Sequence, residues 1–353
     1  MSVLLRYRTV RRLLTVPAVF LALIVVVTTM PLWALVALVL SPWLPGRWRP
    51  VRLASFVLLW LGLEVAALVT LGWLWLINGA GRRLDTPPAV AAHYRLLGRL
   101  LDWVSGSAQR LFAVRIRFEN AVPSSSAEPP PTDPTEPAEP RPLIVLSRHA
   151  GPGDSFLLVH ELVTVYHRQP RIVLKDALQL DPVIDVLVNR LPSRFISPNP
   201  PADSDVVTTV GTLASDMDGD DALLIFPEGG NFTERRRQRS IARLEASGRA
   251  VHAALARRMR HLVAPRPGGV LAALAAAPEA DVVFVAHTGL EQLDSLFDAW
   301  RGLPMDREVR ARFWTVAARD IPAGHDQRIA WLFQWWGRID TWIDERQLPA
   351  GGG

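Results

Sequence analysis

His149 and Asp154 are separated by four residues, three of which are Gly151, Pro152 and Gly153. A loop of that composition folds tightly enough to bring the carboxylate back onto the imidazole. An aspartate on one ring nitrogen fixes the tautomer and leaves the other nitrogen as a base. Histidine's ordinary pKa of about 6.5 suits base work near neutrality. The bland reading of the same residues is a strand-to-helix turn in which Asp154 only caps the following helix.

A second carboxylate stands in Phe226-Pro227-Glu228-Gly229-Gly230. It follows the apolar run Ala222–Ile225, which puts Glu228 on an open loop at the carboxyl end of a buried strand. His149 follows Leu143–Leu146 in the same way. Ligands of open α/β sheets bind outside the carboxyl ends of the strands, so both motifs are expected on one crevice. Alone, Glu228 reads as a solvated turn residue; the convergence of the two loops gives it weight.

The elements that must position these loops are legible as alternating patterns. Strands are expected at Leu143–Leu146, Ile172–Leu174, Arg194–Ile196, Ala222–Phe226, Val282–Ala286 and Phe313–Ala317. Helices are expected near 155–168, 180–190, 203–217, 234–260, 291–301 and 326–347. That alternation predicts an α/β domain over 84–347 with a largely parallel sheet flanked by helices. Before it lie a helical stretch near 88–112 and a strand in which Val114, Ile116 and Phe118 alternate with Arg115, Arg117 and Glu119. Residues 121–142 are rich in Pro, Ser, Glu and Thr and read as a disordered insertion, because they cannot pack a core. In the last helix, Leu332, Trp335, Trp336, Ile339, Trp342 and Ile343 form one apolar face, suited equally to a membrane interface and to packing on the sheet.

With 353 residues and 49% hydrophobic content, the chain can bury a large core. It has no cysteine, which excludes disulfides, Cys-based metal sites and thiol nucleophiles. The net charge of +5 is carried by arginine, Lys175 being the one lysine. Such a balance suits an anionic membrane surface or a phosphorylated substrate, although an arginine-preferring genome explains most of it.

The apolar residues cluster at the N-terminus. From Leu13 to Gly46 no residue is charged, and a second apolar run covers Leu53–Asn78. Each exceeds the about 20 residues a spanning helix needs. The first is too long for the apolar core of a signal peptide, and Pro31 is expected to kink or split it. Residues 1–83 are therefore read as a membrane hairpin with apolar segments at about 13–40 and 53–78. Arg6, Arg8, Arg11 and Arg12 before it, with Arg82 and Arg83 after it, place both ends and the following domain on the cytoplasmic side of the cell membrane. Arg47, Arg49 and Arg52 in the connection suit a re-entrant pair better. Glu64, in the second run, reads as a headgroup or partner contact, or as a sign that the run is not fully immersed.

The spacing His149–Asp154 resembles the His-x-x-x-x-Asp box of the PlsC-like glycerolipid acyltransferases, and Phe226–Gly229 is similar to their Phe-Pro-Glu-Gly box. Asn231-Phe232-Thr233-Glu234-Arg235 with Ser240, and Leu262-Val263-Ala264-Pro265-Arg266-Pro267-Gly268-Gly269, resemble segments of the branch holding animal lysophosphatidate and lysocardiolipin acyltransferases. Lys175 falls where many members carry a lysine before the third strand. The resemblance covers about 113–290. The family's Thr-Arg after Phe-Pro-Glu-Gly is replaced here by Gly230-Asn231, and its Phe-Ile-Asp-Arg box is met only by Phe195-Ile196-Ser197-Pro198.

The resemblance implies acyl transfer from acyl-CoA or an acyl carrier protein to the hydroxyl of a lysophospholipid, most of all 1-acylglycerol-3-phosphate. His149 would be the base and Asp154 its orienting partner. Main-chain N–H groups around Gly151–Ser155 would stabilise an oxyanion or bind phosphate. Glu228 and Gly229 would bind the acceptor or hold the loop. Arg194, Arg235, Arg236 or Arg266 would replace the family's phosphate-binding arginines, guanidinium being suited to phosphate. No metal, bound cofactor or nucleic-acid partner is implied; the bilayer is. Rival readings are another lysolipid or glycolipid acceptor, and an inactive membrane scaffold, which has no need of His149, Asp154 and Glu228. A serine hydrolase lacks its Gly-x-Ser-x-Gly elbow. His160, Glu161 and His167 lack the second His at i+4 that a one-helix zinc motif needs, and Asp216–Asp221 reads as an acidic turn.

Overall fold

Pro31 opens a helix where the sequence leaves a choice between a kink and a split. In the computed structural model, which describes residues 7–43, 48–119, 140–151, 153–196, 204–289 and 307–347, α1 (Arg8–Thr28) ends at Thr29 and α2 (Met30–Leu40) begins with Pro31 in its first turn. A proline is at home there, because its missing N–H has no partner to lose. The second apolar run forms α3 (Arg49–Ile77), 29 residues long. By length and composition α1 and α3 could each cross a membrane.

These helices also grip the domain. Arg11, 2% exposed, donates through Nη2 to Asp185 Oδ1 at 2.7 Å and to Gln179 Oε1 at 2.7 Å. Arg12 Nε donates to Asp185 Oδ2 at 2.9 Å. Two of the arginines that looked like a topology signal are thus engaged by the domain. Glu64 is buried beside Asp181, which makes it a contact within the protein and not with a headgroup.

The rest is a layered α/β unit. After α4 (Pro87–Phe112) and β1 (Val114–Phe118) come β2 (Leu143–Ser147), α5 (Asp154–His160) with a wider turn over Glu161–Val165, and β3 (Gln169–Lys175). Then follow α6 (Pro182–Val188), β4 (Arg194–Ile196), α7 (Ser204–Ala214), β5 (Asp221–Ile225), α8 (Glu234–Ala246) and α9 (Ala250–Arg258). The chain continues with α10 (Pro267–Ala276), β6 (Asp281–Thr288), β7 (Arg307–Val316) and α11 (His325–Gln347). The sheet order is β1-β7-β6-β2-β5-β3-β4. Neighbours from β6 to β4 pair in parallel; β7 runs antiparallel to β6, and β1 runs with β7.

The apolar runs of strands β2 and β5 are buried on both faces, as parallel strands covered by helices require. One face carries α7, α10 and α11, where Trp336, Ile339 and Ile343 are 0% exposed and Trp335 stacks on Phe284 at 4.4 Å. The tryptophan-rich last helix therefore packs on the sheet. The other face, under α4 and α5, holds Leu101, Leu158 and Val285.

Three boundaries differ from expectation. The long helix near 234–260 is two helices, broken at Gly248 in a left-handed turn with φ +73°. Helix α10 was not expected, since Pro267–Ala276 has no polar face to give a period. Strand β7 begins six residues earlier than Phe313. The helix expected at 291–301 and most of the 121–142 insertion lie outside the described residues.

Candidate active site

Strands β2 and β5 are neighbours in the sheet, so the loops leaving their carboxyl ends start only about 5 Å apart. His149 leaves β2 and Glu228 leaves β5. His149 Nδ1 lies 2.8 Å from Asp154 Oδ2. Because an ionised carboxylate only accepts, Nδ1 carries the proton and Nε2 keeps its lone pair. The imidazole is 15% exposed and packs on the Phe226 ring at 4.6 Å between centroids.

Asp154 is fully buried and heavily hydrogen-bonded. Its Oδ2 also accepts the main-chain N–H of Ala150 at 2.8 Å and of Gly151 at 3.2 Å, and its Oδ1 accepts that of Ser155 at 2.6 Å. Burial alone would raise this carboxyl. The bond from His149, the nearby His287 and the main-chain donors outweigh burial and hold it below the usual carboxylate range. The same bonds turn the N–H groups of Ala150, Gly151 and Ser155 inward onto Asp154.

Glu228 is 2% exposed, and both its oxygens are engaged by main chain. Oε1 accepts His149 N–H at 3.1 Å and Oε2 accepts Val263 N–H at 3.0 Å. Phe232 N–H donates to His149 carbonyl at 2.8 Å. The two loops are thus stitched together, and of the two roles expected for Glu228 the geometry displays the holding of the loop. Burial pushes its carboxyl up to about 7, against the pull of the Arg148 guanidinium and the two N–H donors.

Two buried residues were missed in the sequence. Arg148, 1% exposed, donates to His287 carbonyl at 2.8 Å and to His261 carbonyl at 3.3 Å, placing a cation beneath the site. His287, 0% exposed, has Nε2 3.3 Å from Arg148 carbonyl and 3.9 Å from Asp154 Oδ2. Adjacency to His149 was the only signal for Arg148, and a lone histidine in an apolar strand the only one for His287.

The Phe226–Gly229 turn closes with Gly229 N–H on Phe226 carbonyl at 3.0 Å, Gly229 adopting φ +70°. Two guanidiniums flank it. Arg266 lies against Gly229, 3.1 Å from where a Cβ would stand, and its main-chain N–H donates to Pro227 carbonyl at 2.8 Å. Arg236, in the first turn of α8, donates to Gly229 carbonyl at 3.2 Å and occupies the space a side chain at residue 230 would need. Gly230-Asn231 is therefore the composition that admits Arg236. Arg235 is exposed on the same turn. Lys175, at the carboxyl end of β3, and Arg194, on the edge strand β4, are exposed, and Arg194 Nη1 donates to Ser193 carbonyl at 3.1 Å. The structure gathers His149, Asp154, Glu228, Gly229, Arg236 and Arg266; Lys175 ends β3, the parallel neighbour of β5, and Arg194 lies one strand further out on β4.

Residues 130–286 match the family model described as Acyltransferase. Both loops and the Arg236–Arg266 pair fall inside that match. No curated protein matches the sequence at a significant level. Among solved structures, the chain is similar to the crystal structure of the 1-acyl-sn-glycerophosphate (LPA) acyltransferase, PlsC, from Thermotoga maritima. The two share 13% identity and a TM-score of 0.46, over 85% of this chain and 100% of that one.

Proposed function

We propose that the protein transfers a fatty acyl group from a thioester of coenzyme A or acyl carrier protein to the hydroxyl of a lysophosphatidate-like acceptor, at the surface of the membrane that α1 and α3 enter. The observation that carries this is the His149–Asp154 pair, held at 2.8 Å with Nε2 left as a base, within the residues that match the Acyltransferase family model. His149 Nε2 takes the acceptor's hydroxyl proton as that oxygen attacks the thioester carbonyl. The tetrahedral intermediate collapses, the carbon–sulfur bond breaks, and the same proton passes from Nε2 to the leaving sulfur. Asp154 stabilises the imidazolium between the two transfers. On this reading the chain's own residues carry every step, with no metal or bound cofactor.

Arg236 and Arg266 favour an anionic acceptor, since two guanidiniums beside one turn suit a phosphate close to the reacting hydroxyl. The alternative is a neutral lysolipid or glycolipid. Labelled acyl-CoA and acyl carrier protein, offered to the purified enzyme with lysophosphatidate and neutral lysolipids, test both readings. Preference for lysophosphatidate, with Arg266→Ala raising its KM more than it lowers kcat, is expected. A wild-type preference for the uncharged lipid would reject the anionic acceptor.

A further inference from the structure

Behind the Gly229 turn lies a cavity of about 510 Å³, within the about 300–1,000 Å³ of small-molecule sites. Its catalytic end is formed by Phe226, Gly229 and Arg266, and Phe226 is the ring that touches His149. Its walls are largely apolar, with Val207, Val210, Leu271 and Ile329 among them. Its other end is cationic, formed by Arg243 and Arg249. Among the described residues, no acidic side chain lines it and neither Arg243 nor Arg249 makes an ion pair. His325 also lines it but is already paired with Asp326 at 2.9 Å.

Helix α8 connects the two ends. Arg236, Ser240, Arg243 and Ser247 are spaced i, i+4, i+7 and i+11, and so share one face. Arg236 and Arg243 are then about 10 Å apart along the axis. Gly248, at φ +73°, ends the helix, Arg249 N–H donates back to Leu244 carbonyl at 2.9 Å, and Arg249 lines the same cavity.

A lysophosphatidate has its hydroxyl and phosphate only a few bonds apart, so it serves the Arg236–Arg266 end alone. The distant cations call for an anion joined to the reacting group by a long, mostly apolar arm. A phosphopantetheine thioester has that form: sulfur at one end, methylene, dimethyl and amide groups between, and phosphate at the other. We propose that the cavity receives the phosphopantetheine arm of the acyl donor, with Arg243 and Arg249 on its phosphate and the hydroxyls of Ser240 and Ser247 along its amides. This rests on the acyl-transfer reading above.

The test is direct titration of the full-length protein, in detergent, with coenzyme A and separately with phosphopantetheinylated acyl carrier protein. Arg243→Ala/Arg249→Ala should weaken binding of whichever carrier the wild type takes by about tenfold or more, given two lost charge-assisted contacts. The lysine double variant should retain most of the affinity. KM for the lysolipid should not move, and acyl-N-acetylcysteamine, a thioester without phosphate, should be used equally by wild type and variant. Unchanged carrier affinity, an equal loss with the phosphate-free thioester, or a wild type that binds neither carrier would each overturn the proposal. If carrier binding depends on the two arginines while no acceptor is acylated, the cavity assignment stands and the reaction assigned above falls.

Discussion

Glu228 Oε1 accepts the main-chain N–H of His149 at 3.1 Å, so the second carboxylate of the site acts on the backbone of the base. Its partner oxygen ties in Val263. Glu228→Ala should lower kcat with little change in acceptor KM, because it releases the His149 loop without removing a substrate contact. A KM effect that exceeds the kcat effect would return Glu228 to the acceptor.

The same residue gives stability a pH dependence. Its folded value of about 7 is above the ordinary 4.5, so the folded state holds the proton more tightly than the unfolded chain does. That contribution is fully present below the ordinary value and is lost as pH rises through about 7. Thermal denaturation between pH 5 and 8 should show the wild type losing stability relative to Glu228→Gln as pH rises. A difference independent of pH would contradict the assignment.

His149→Ala and Asp154→Asn should be separable. Loss of a general base typically lowers the rate about 10²–10⁴-fold, and His149→Ala should do so in a protein that melts normally. Asp154→Asn replaces an oxygen that also holds main-chain N–H groups of the loop, so it should reduce both the rate and the melting temperature. Rates near wild type for His149→Ala would remove it from the chemistry.

Gly230→Ala should reproduce the effect of Arg236→Ala on acceptor KM. The added methyl group would take the space of the Arg236 guanidinium, at a backbone φ of +149° that side chains disfavour. Kinetics of the two single variants and the double variant check this; simple additivity would show that the two residues act separately.

Asp185→Ala should loosen the N-terminal helices from the domain. It strands Arg11, 2% exposed, without its carboxylate, and breaking a buried pair typically costs about 3–5 kcal/mol. Denaturation in detergent, with proteolysis near the start of α1 as a local readout, measures it. An unchanged melting curve would mean that the contact is not retained in solution.

What the sequence displays well is whatever is local and periodic. The apolar runs of β2 and β5 announce buried parallel strands, and Gly151-Pro152-Gly153 announces a turn able to return Asp154 to His149. What it hides depends on residues far apart. Nothing near Arg11 indicates Asp185, 174 positions away, and an arginine such as Arg148 looks like surface until the sheet closes over it. Arg236 was one of four candidate arginines, with Arg266 preferred for its proline-flanked loop, until the empty side of Gly230 distinguished it. Helix α10 was hidden because burial on all sides erases the polar face by which a helix is recognised.

Because β7 reverses against β6 and β1 runs with β7, the register carries Phe118 through Ala311 to His287, level with the carboxyl ends of the parallel strands. Pro140, three residues before the start of β2 at Leu143, stands instead on the amino-terminal side of that strand. The Pro/Ser/Glu-rich stretch between Glu119 and Pro140 must therefore return the chain along the length of a strand, at most about 3.3 Å for each residue. That span sets a floor on how far the stretch can be shortened, while nothing in the register limits how far it can be lengthened.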